Sequence, residues 1–204
     1  MNGYDVFALF YDASIERVYR PSRERVAETL RPDVGPSVLI PACGTGQDFA
    51  PLRTRLGGGS ARLVGVDFSA GMLRRARKRV DREGWQNVTL VEADARTVDA
   101  EKLGPPFDHV VCSLALSVVP DWQRVVEHTF DQLRPGGQFT IFDVHADRRV
   151  AQTLCTEWIA RADLSRKPWE PLENLSTRFT LDWQPGSPHL HGGRPFIATG
   201  FKRS

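Results

Sequence analysis

The residues best suited to chemistry stand where apolar runs end. Val38-Leu39-Ile40 gives way abruptly to Pro41-Ala42-Cys43-Gly44-Thr45-Gly46-Gln47-Asp48, a turn of mostly small residues. Glycine lets a backbone come close to a bound ligand. A helix read over about Thr45 to Leu56 would aim its free N–H groups at the same place. A second run, Leu63-Val64-Gly65-Val66, ends on Asp67, 21 residues beyond Gly46. A carboxylate at that distance can accept both hydroxyls of a ribose. A third run ends at Glu92-Ala93-Asp94-Ala95. Asp94 could accept from the exocyclic amine of an adenine while the Ala95 amide reaches a ring nitrogen; an Asx-type loop cap is the plainer alternative. A fifth run ends near Asp143 and His145. These two could orient or deprotonate a nucleophile, since histidine titrates near neutrality, or could simply make loop hydrogen bonds.

Two nucleotide-site patterns fail at the glycine turn. A dinucleotide fingerprint needs a third glycine three positions after the second, where this chain has Phe49. A phosphate loop needs Gly-Lys-Ser/Thr, and Gly46 is followed by Gln47 and Asp48. What survives is a polar ligand with a ribose, held at the carboxyl ends of strands.

The elements that must position these residues follow from periodicity. Strand, helix, strand in that spacing implies parallel strands joined by a right-handed crossover. Ser69 is a good N-cap for the next helix, whose buried stripe is Leu73, Ala76 and Val80. Its many arginines read as a solvated face, and Met72 suits either core or an adenine wall. Strand four is about His109–Cys112; Ser113 and the residues to Ser117 should line the junction of two ligands. Asp121 reads as the N-cap of the next helix, and Pro135-Gly136-Gly137 as the turn into strand five, about Gln138–Asp143. A helix over about 148–163, a loop over 164–175 and two strands, Arg178–Trp183 and Pro195–Phe201, complete the chain. Pro21 should separate two short helices within residues 1–33.

Composition bounds the rest. A chain of 204 residues, 41% hydrophobic and 25% charged, suits one soluble globular domain. A net charge of +2 argues against bulk nucleic-acid binding. Cys43, Cys112 and Cys155 are scattered and odd in number, which reads as reduced thiols in a cytoplasmic protein without a zinc site. His189 and His191 form a pair without a third ligand, so no metal is expected. No run is long enough for a transmembrane helix; peripheral membrane contact stays open, and nothing sets an oligomeric state.

Taken in order, Cys43-Gly44-Thr45-Gly46, Val66-Asp67-Phe68-Ser69, Glu92-Ala93-Asp94-Ala95 and Leu133-Arg134-Pro135-Gly136-Gly137 resemble the successive motifs of class I S-adenosylmethionine-dependent methyltransferases over about residues 34–145. The resemblance implies an α/β fold, with a Rossmann-like seven-stranded, mostly parallel sheet, helices on both faces and an antiparallel C-terminal hairpin. It implies a helical lid at residues 1–33, a cofactor-binding core at 34–145, and a substrate-side helix and hairpin at 146–204. It implies S-adenosylmethionine as donor and S-adenosylhomocysteine as product, with Ala42, Cys43, Gly44, Gly46, Asp67, Phe68, Met72, Asp94, Ala95 and Ser113 around them and Tyr11 or Tyr19 facing in from the lid. One departure stands out: the family usually has an acidic residue and a glycine where this chain has Ile40 and Ala42.

Within the family, Tyr11-Asp12, Tyr19-Arg20-Pro21, Gly84-Trp85-Gln86-Asn87-Val88 and Leu114–Trp122 resemble the small quinone-biosynthesis and lipid head-group methyltransferases, the last especially the phospholipid and betaine-lipid N-methyltransferases. That implies a small-molecule or lipid head-group acceptor, an amine methylated on nitrogen, with Trp158, Trp169, Phe179 and Trp183 facing the cation and Asp143 or His145 as its base. Carbon or oxygen methylation of a small aromatic or quinone precursor is the alternative. A non-catalytic module that only binds the cofactor is the alternative of another class, supported by Ile40 and Ala42.

Overall fold

The computed structural model describes residues 17–186 and 192–204. Seven strands form one sheet: β1 Ser37–Pro41, β2 Arg62–Asp67, β3 Val88–Glu92, β4 Phe107–Ser113, β5 Leu133–His145, β6 Arg178–Trp183 and β7 Arg194–Phe201. Their order across the sheet is β3-β2-β1-β4-β5-β7-β6. β1 to β5 pair in parallel, while β7 runs antiparallel to both β5 and β6. The expected fold class holds in full, including the C-terminal hairpin.

Strand periodicity of two explains the layers. Val38 and Ile40 of β1 and Phe142 and Val144 of β5 face one core; Leu39, Phe139 and Ile141 face the other. The first core is closed by α1 (helical through residue 29), by α2 Phe49–Arg55 through Phe49 and Leu52, and by α3 Ala70–Arg82 through Leu73, Ala76 and Val80. The second is closed by α4 Ala100–Leu103, α5 Trp122–Asp131 and α7 Trp169–Leu175, with Val125, Val126 and Phe130 of α5 the main contribution. α6 Ala151–Ala160 lies after β5 and buries little: Leu154 and Trp158 are exposed. The chain winds outward from β1 to β3, then returns to β4 on the other side of β1. That reversal makes the carboxyl ends of β1 and β4 a topological switch point, where open α/β sheets hold ligands.

Several local expectations change. The helix expected from Thr45 begins only at Phe49, so a loop, not a helix end, lines the carboxyl end of β1. Pro21 interrupts nothing: residues 17–29 are one helix. Residues 164–175, read as loop, contain α7. Pro168 sits at its N-cap and Pro171 within its first turn, where backbone N–H groups have no intrahelical partner and a missing one costs little. Asp121 adopts φ 51 and makes no capping bond; its carboxylate meets Arg96 instead, at 3.0 Å. Ser69 does cap α3, accepting from the Met72 amide at 3.3 Å. His189 and His191 lie outside the described residues. Among the described residues, no helix is long and apolar enough to cross a membrane and no three potential ligands cluster for a metal.

The two departures at β1 have different consequences. Ile40 is 1% exposed within the first core. Ile40→Glu is therefore expected to bury an unpaired carboxylate and destabilise the fold by about 3–5 kcal/mol, read by urea denaturation; stability equal to the parent's would contradict this packing. Ala42 sits at φ 50, the left-handed region that glycine occupies without strain. Ala42→Gly should leave stability unchanged or raise it by up to about 1 kcal/mol, in the same assay, and a clear loss would show that the Ala42 methyl group packs usefully.

Candidate functional site

The site begins with one carboxylate. Asp67, last residue of β2, is 6% exposed. Its Oδ2 accepts the Gly44 amide at 2.8 Å and its Oδ1 accepts the Ser69 amide at 2.9 Å. One side chain thus ties the turn after β1 to the turn after β2. Burial pushes the Asp67 carboxyl above its ordinary range, and the two amide donors oppose that shift. Each oxygen keeps acceptor capacity beyond its one amide.

Glycines shape the turn itself. Gly44 has φ 55, and a Cβ there would meet nothing within 4 Å, so its outer side is open space. At Gly46, φ 76, a Cβ would fall 2.4 Å from the Phe49 ring. At Gly65 of β2 it would fall 2.8 Å from the Cys43 sulfur and 2.9 Å from the same ring. Phe49, fully buried, is therefore accommodated between two glycines.

These turns border a cavity of about 200 Å³, far more than the ~15 Å³ one water needs. Ala42, Cys43, Gly44 and Asp48 come from the turn after β1, and Asp67, Phe68, Ser69 and Met72 from the turn after β2. Ser113, Leu114, Ala115, Val118 and Val119 follow β4. Arg23 of α1, Ile159 and Ala160 of α6 and Arg161 just after it also line the cavity. Asp48 is paired with Arg23 at 2.8 Å and accepts the Ser113 hydroxyl at 3.1 Å. Phe68, 65% exposed, stands at the mouth.

So Ala42, Cys43, Gly44, Asp67, Phe68, Met72 and Ser113 are brought together as the sequence suggested. The others are not on the cavity wall. Gly46 lies behind the turn, under Phe49. Asp94 is engaged by Arg96, whose backbone amide, Nε and Nη2 all donate to it, and this pairing holds its carboxyl below the ordinary range. Ala95 is buried in the second core. Tyr19 packs edge-on against Phe142, ring centres 5.8 Å apart. Tyr11 lies outside the described residues.

The proton-transfer candidates also sit elsewhere. Asp143 is 1% exposed and accepts the Ser117 amide, the Ser117 hydroxyl and the Val144 amide, all within 3.0 Å. It pins the loop after β4. His145 has Nδ1 beside the Arg166 carbonyl and Nε2 beside Asp147, each at 3.0 Å. Its ring packs among Trp169 and Trp183, which in turn meet Phe196. Trp169 and Trp183 thus form an aromatic cluster apart from the cavity, and Trp158 is 82% exposed. Arg23, Asp48 and the apolar stretch Leu114–Val119 were the cavity residues that motif reading passed over or left general. Asp48 was visible as an acid just after the glycine turn; nothing local could pair it with an arginine 25 residues earlier.

The fold and its ordered turns are similar to those of solved methyltransferases. Residues 38–137 match the family model described as a methyltransferase domain, and the chain is similar there to S-adenosylmethionine-dependent methyltransferases. A demethylmenaquinone methyltransferase of Listeria welshimeri is 30% identical over 121 residues, covering 59% of this chain and 50% of that one. The chain spans about half the length of the curated relatives it matches. An O-methyltransferase family protein from Burkholderia thailandensis superimposes with TM-score 0.73 at 20% identity, over 96% of this chain and 59% of that one. The N-methyltransferase NodS from Bradyrhizobium japonicum, solved with S-adenosylhomocysteine, gives TM-score 0.67 at 17% identity, over 91% and 88%. These two likenesses concern the fold.

The open side of Gly44, the residual acceptor capacity of Asp67 and the apolar Met72 fit a thioether nucleoside. Asp67→Ala is expected to weaken S-adenosylhomocysteine binding by about 2–3 kcal/mol, because ribose hydroxyls lose a charged acceptor and the turn loses its tie. Only the ionised carboxylate offers both oxygens as acceptors. Parent affinity should therefore be full near neutrality and fall as pH drops through the raised carboxyl value, starting at a higher pH than for an exposed aspartate. Calorimetric titration across pH reads both effects; an Asp67→Ala affinity equal to the parent's would show the ribose is held elsewhere.

Proposed function

We propose that this chain is an enzyme that transfers the methyl group of S-adenosylmethionine to a small, largely apolar acceptor, an aromatic ring or quinone precursor methylated at carbon or oxygen. The observation that carries the acceptor is the wall formed by Leu114, Ala115, Val118, Val119, Ile159 and Ala160 beside the glycine turn. Such a wall favours an apolar body and excludes water from the transfer. The donor supplies an activated methyl group, so the protein's task is to hold two molecules in line at contact distance. Asp67 and the Gly44 turn would fix the donor's nucleoside half, and the Leu114–Val119 loop, held from behind by Asp143, would position the acceptor.

The amine reading keeps its resemblance at Leu114–Trp122, but two of its other supports weaken. Asp143 and His145 are consumed by internal hydrogen bonds away from the cavity, and Trp169 and Trp183 pack on each other rather than on it. A protonated amine in the cavity would thus meet neither Asp143 nor His145 as base, and neither Trp169 nor Trp183 as aromatic face. A phenol or enol acidic enough to lose its own proton needs neither. Resemblance to demethylmenaquinone methyltransferases supports the same choice.

A radiolabelled methyl-transfer screen over quinone precursors, phenols, small amines and amino lipids tests this, with mass spectrometry locating the methyl group. A carbon- or oxygen-methylated aromatic is the expected product. An N-methylated product would restore the amine reading, and tight donor binding without transfer to any acceptor would favour a regulatory module. His145→Ala should lower thermal stability through the loss of its buried aromatic packing while leaving kcat/KM of the folded enzyme within about threefold of the parent's; a drop of a hundredfold or more, equivalent to about 2.7 kcal/mol, would make it part of the chemistry.

A further inference from the structure

The polarity of α6 is reversed. A surface helix ordinarily turns its apolar residues inward and its polar ones to solvent. Here the inward positions are polar. Thr153 is buried, its hydroxyl accepting the Val150 amide at 3.2 Å. Glu157 accepts the Leu164 amide at 3.0 Å and pairs with Arg149. The outward side is apolar. Val150 at the N-cap, then Leu154 and Trp158 at successive helical turns, are 47%, 54% and 82% exposed, and Ile159 beside them is 49% exposed. Exposed apolar side chains grouped on one face mark an interaction surface. Ile159 also lines the cavity, and so does the exposed Phe68 from the turn after β2. The apolar stripe therefore runs up to the cavity opening.

We propose that α6 docks this protein on an anionic lipid bilayer, with Val150, Leu154, Trp158 and Phe68 entering the boundary between headgroups and acyl chains. Area argues against a second copy as the occupant. The helix has 10 residues, a length of about 15 Å at 1.5 Å per residue, so its outer face offers on the order of a few hundred Å². A stable dimer buries about 800 Å² per partner. An interfacial helix needs only one such face at the acyl boundary, a depth that tryptophan favours. Charge selects the kind of bilayer. Met72 of α3 lines the same cavity, and α3 carries six basic residues against one acidic, with Arg74, Arg77 and Lys78 exposed. Basic side chains close to an anionic headgroup surface each add attraction. The docking does not rest on the acceptor proposed above. It would turn the cavity opening toward the phase in which an apolar acceptor concentrates.

Flotation of the full chain with vesicles tests this, using phosphatidylcholine alone and phosphatidylcholine mixed with phosphatidylglycerol. The parent protein should float with the anionic vesicles and about tenfold less with the neutral ones. Cys155 is exposed beside the stripe, while Cys43 and Cys112 are buried; an environment-sensitive fluorophore on it should shift to the blue on docking. Leu154→Gln combined with Trp158→Gln keeps helix propensity and touches no cavity residue. The double variant should lose at least about tenfold in partition onto anionic vesicles, with S-adenosylhomocysteine affinity equal to the parent's. No binding to either vesicle, or undiminished binding by the double variant, would overturn the proposal. So would a concentration-dependent dimer, seen by analytical ultracentrifugation and abolished by the double variant, since a second copy would then cover the stripe. Vesicle binding by a parent protein that fails to bind S-adenosylhomocysteine would support the docking while removing the methyl-transfer reading.

Discussion

The site depends on one buried carboxylate accepting two backbone amides. Asp67 sits where desolvation opposes its charge, and its Gly44 and Ser69 donors are what make the ionised form tolerable there. Without that exchange the turns after β1 and β2 would have no shared anchor on the cavity side. Gly44 must be free to adopt φ 55 for its amide to point inward. The Cys43 amide bonds to the Val66 carbonyl at 2.9 Å, completing the bridge. A ligand that uses the remaining lone pairs of Asp67 therefore meets a group whose orientation was fixed during folding.

Much of this was legible in the sequence because it is written in local patterns. Apolar runs ending in small or acidic residues located four parallel strands to within two residues; the fifth begins at Leu133, so Pro135-Gly136-Gly137, read as a turn, lies within it. The ordered motifs pointed to a methyltransferase domain. The residues that those strand ends place around the cavity could be located for the same reason. What failed needed knowledge of side-chain partners. Asp94 and Asp121 each looked available, but both lie within reach of Arg96, which competes for them. His145 looked catalytic because it follows a strand; its surroundings are set by Trp169 and Trp183, 24 and 38 residues downstream. The prolines around Trp169 suggested loop, although a helix tolerates proline throughout its first turn.

Phe49 illustrates how a failed pattern can still be informative. A glycine at its position would let a helix lie close on the strand. This chain reaches close packing by the reverse arrangement, with a large ring on the helix and glycines at 46 and 65 around it. The sequence lacks the third glycine of a dinucleotide fingerprint, but the reason the turn still closes is spatial. Gly65 lies on β2, and only the parallel register that sets it opposite Ile40 brings it under the turn.

The strand order has a bearing on how the molecule comes to be assembled. β7, last of the seven in sequence, is inserted between β5 and β6. Until it leaves the ribosome, β5 presents an open edge along most of its length, and β6, whose pairing is entirely with β7, has nothing to join. The nascent chain can complete the four parallel pairings and hold the glycine turn in place well before that moment. The nascent sheet thus ends at β5 and lacks both strands of its rim. An unpaired strand edge in a partly folded chain invites association with other chains, so the interval between emergence of β5 and arrival of β7 is when this protein is most exposed to misassembly.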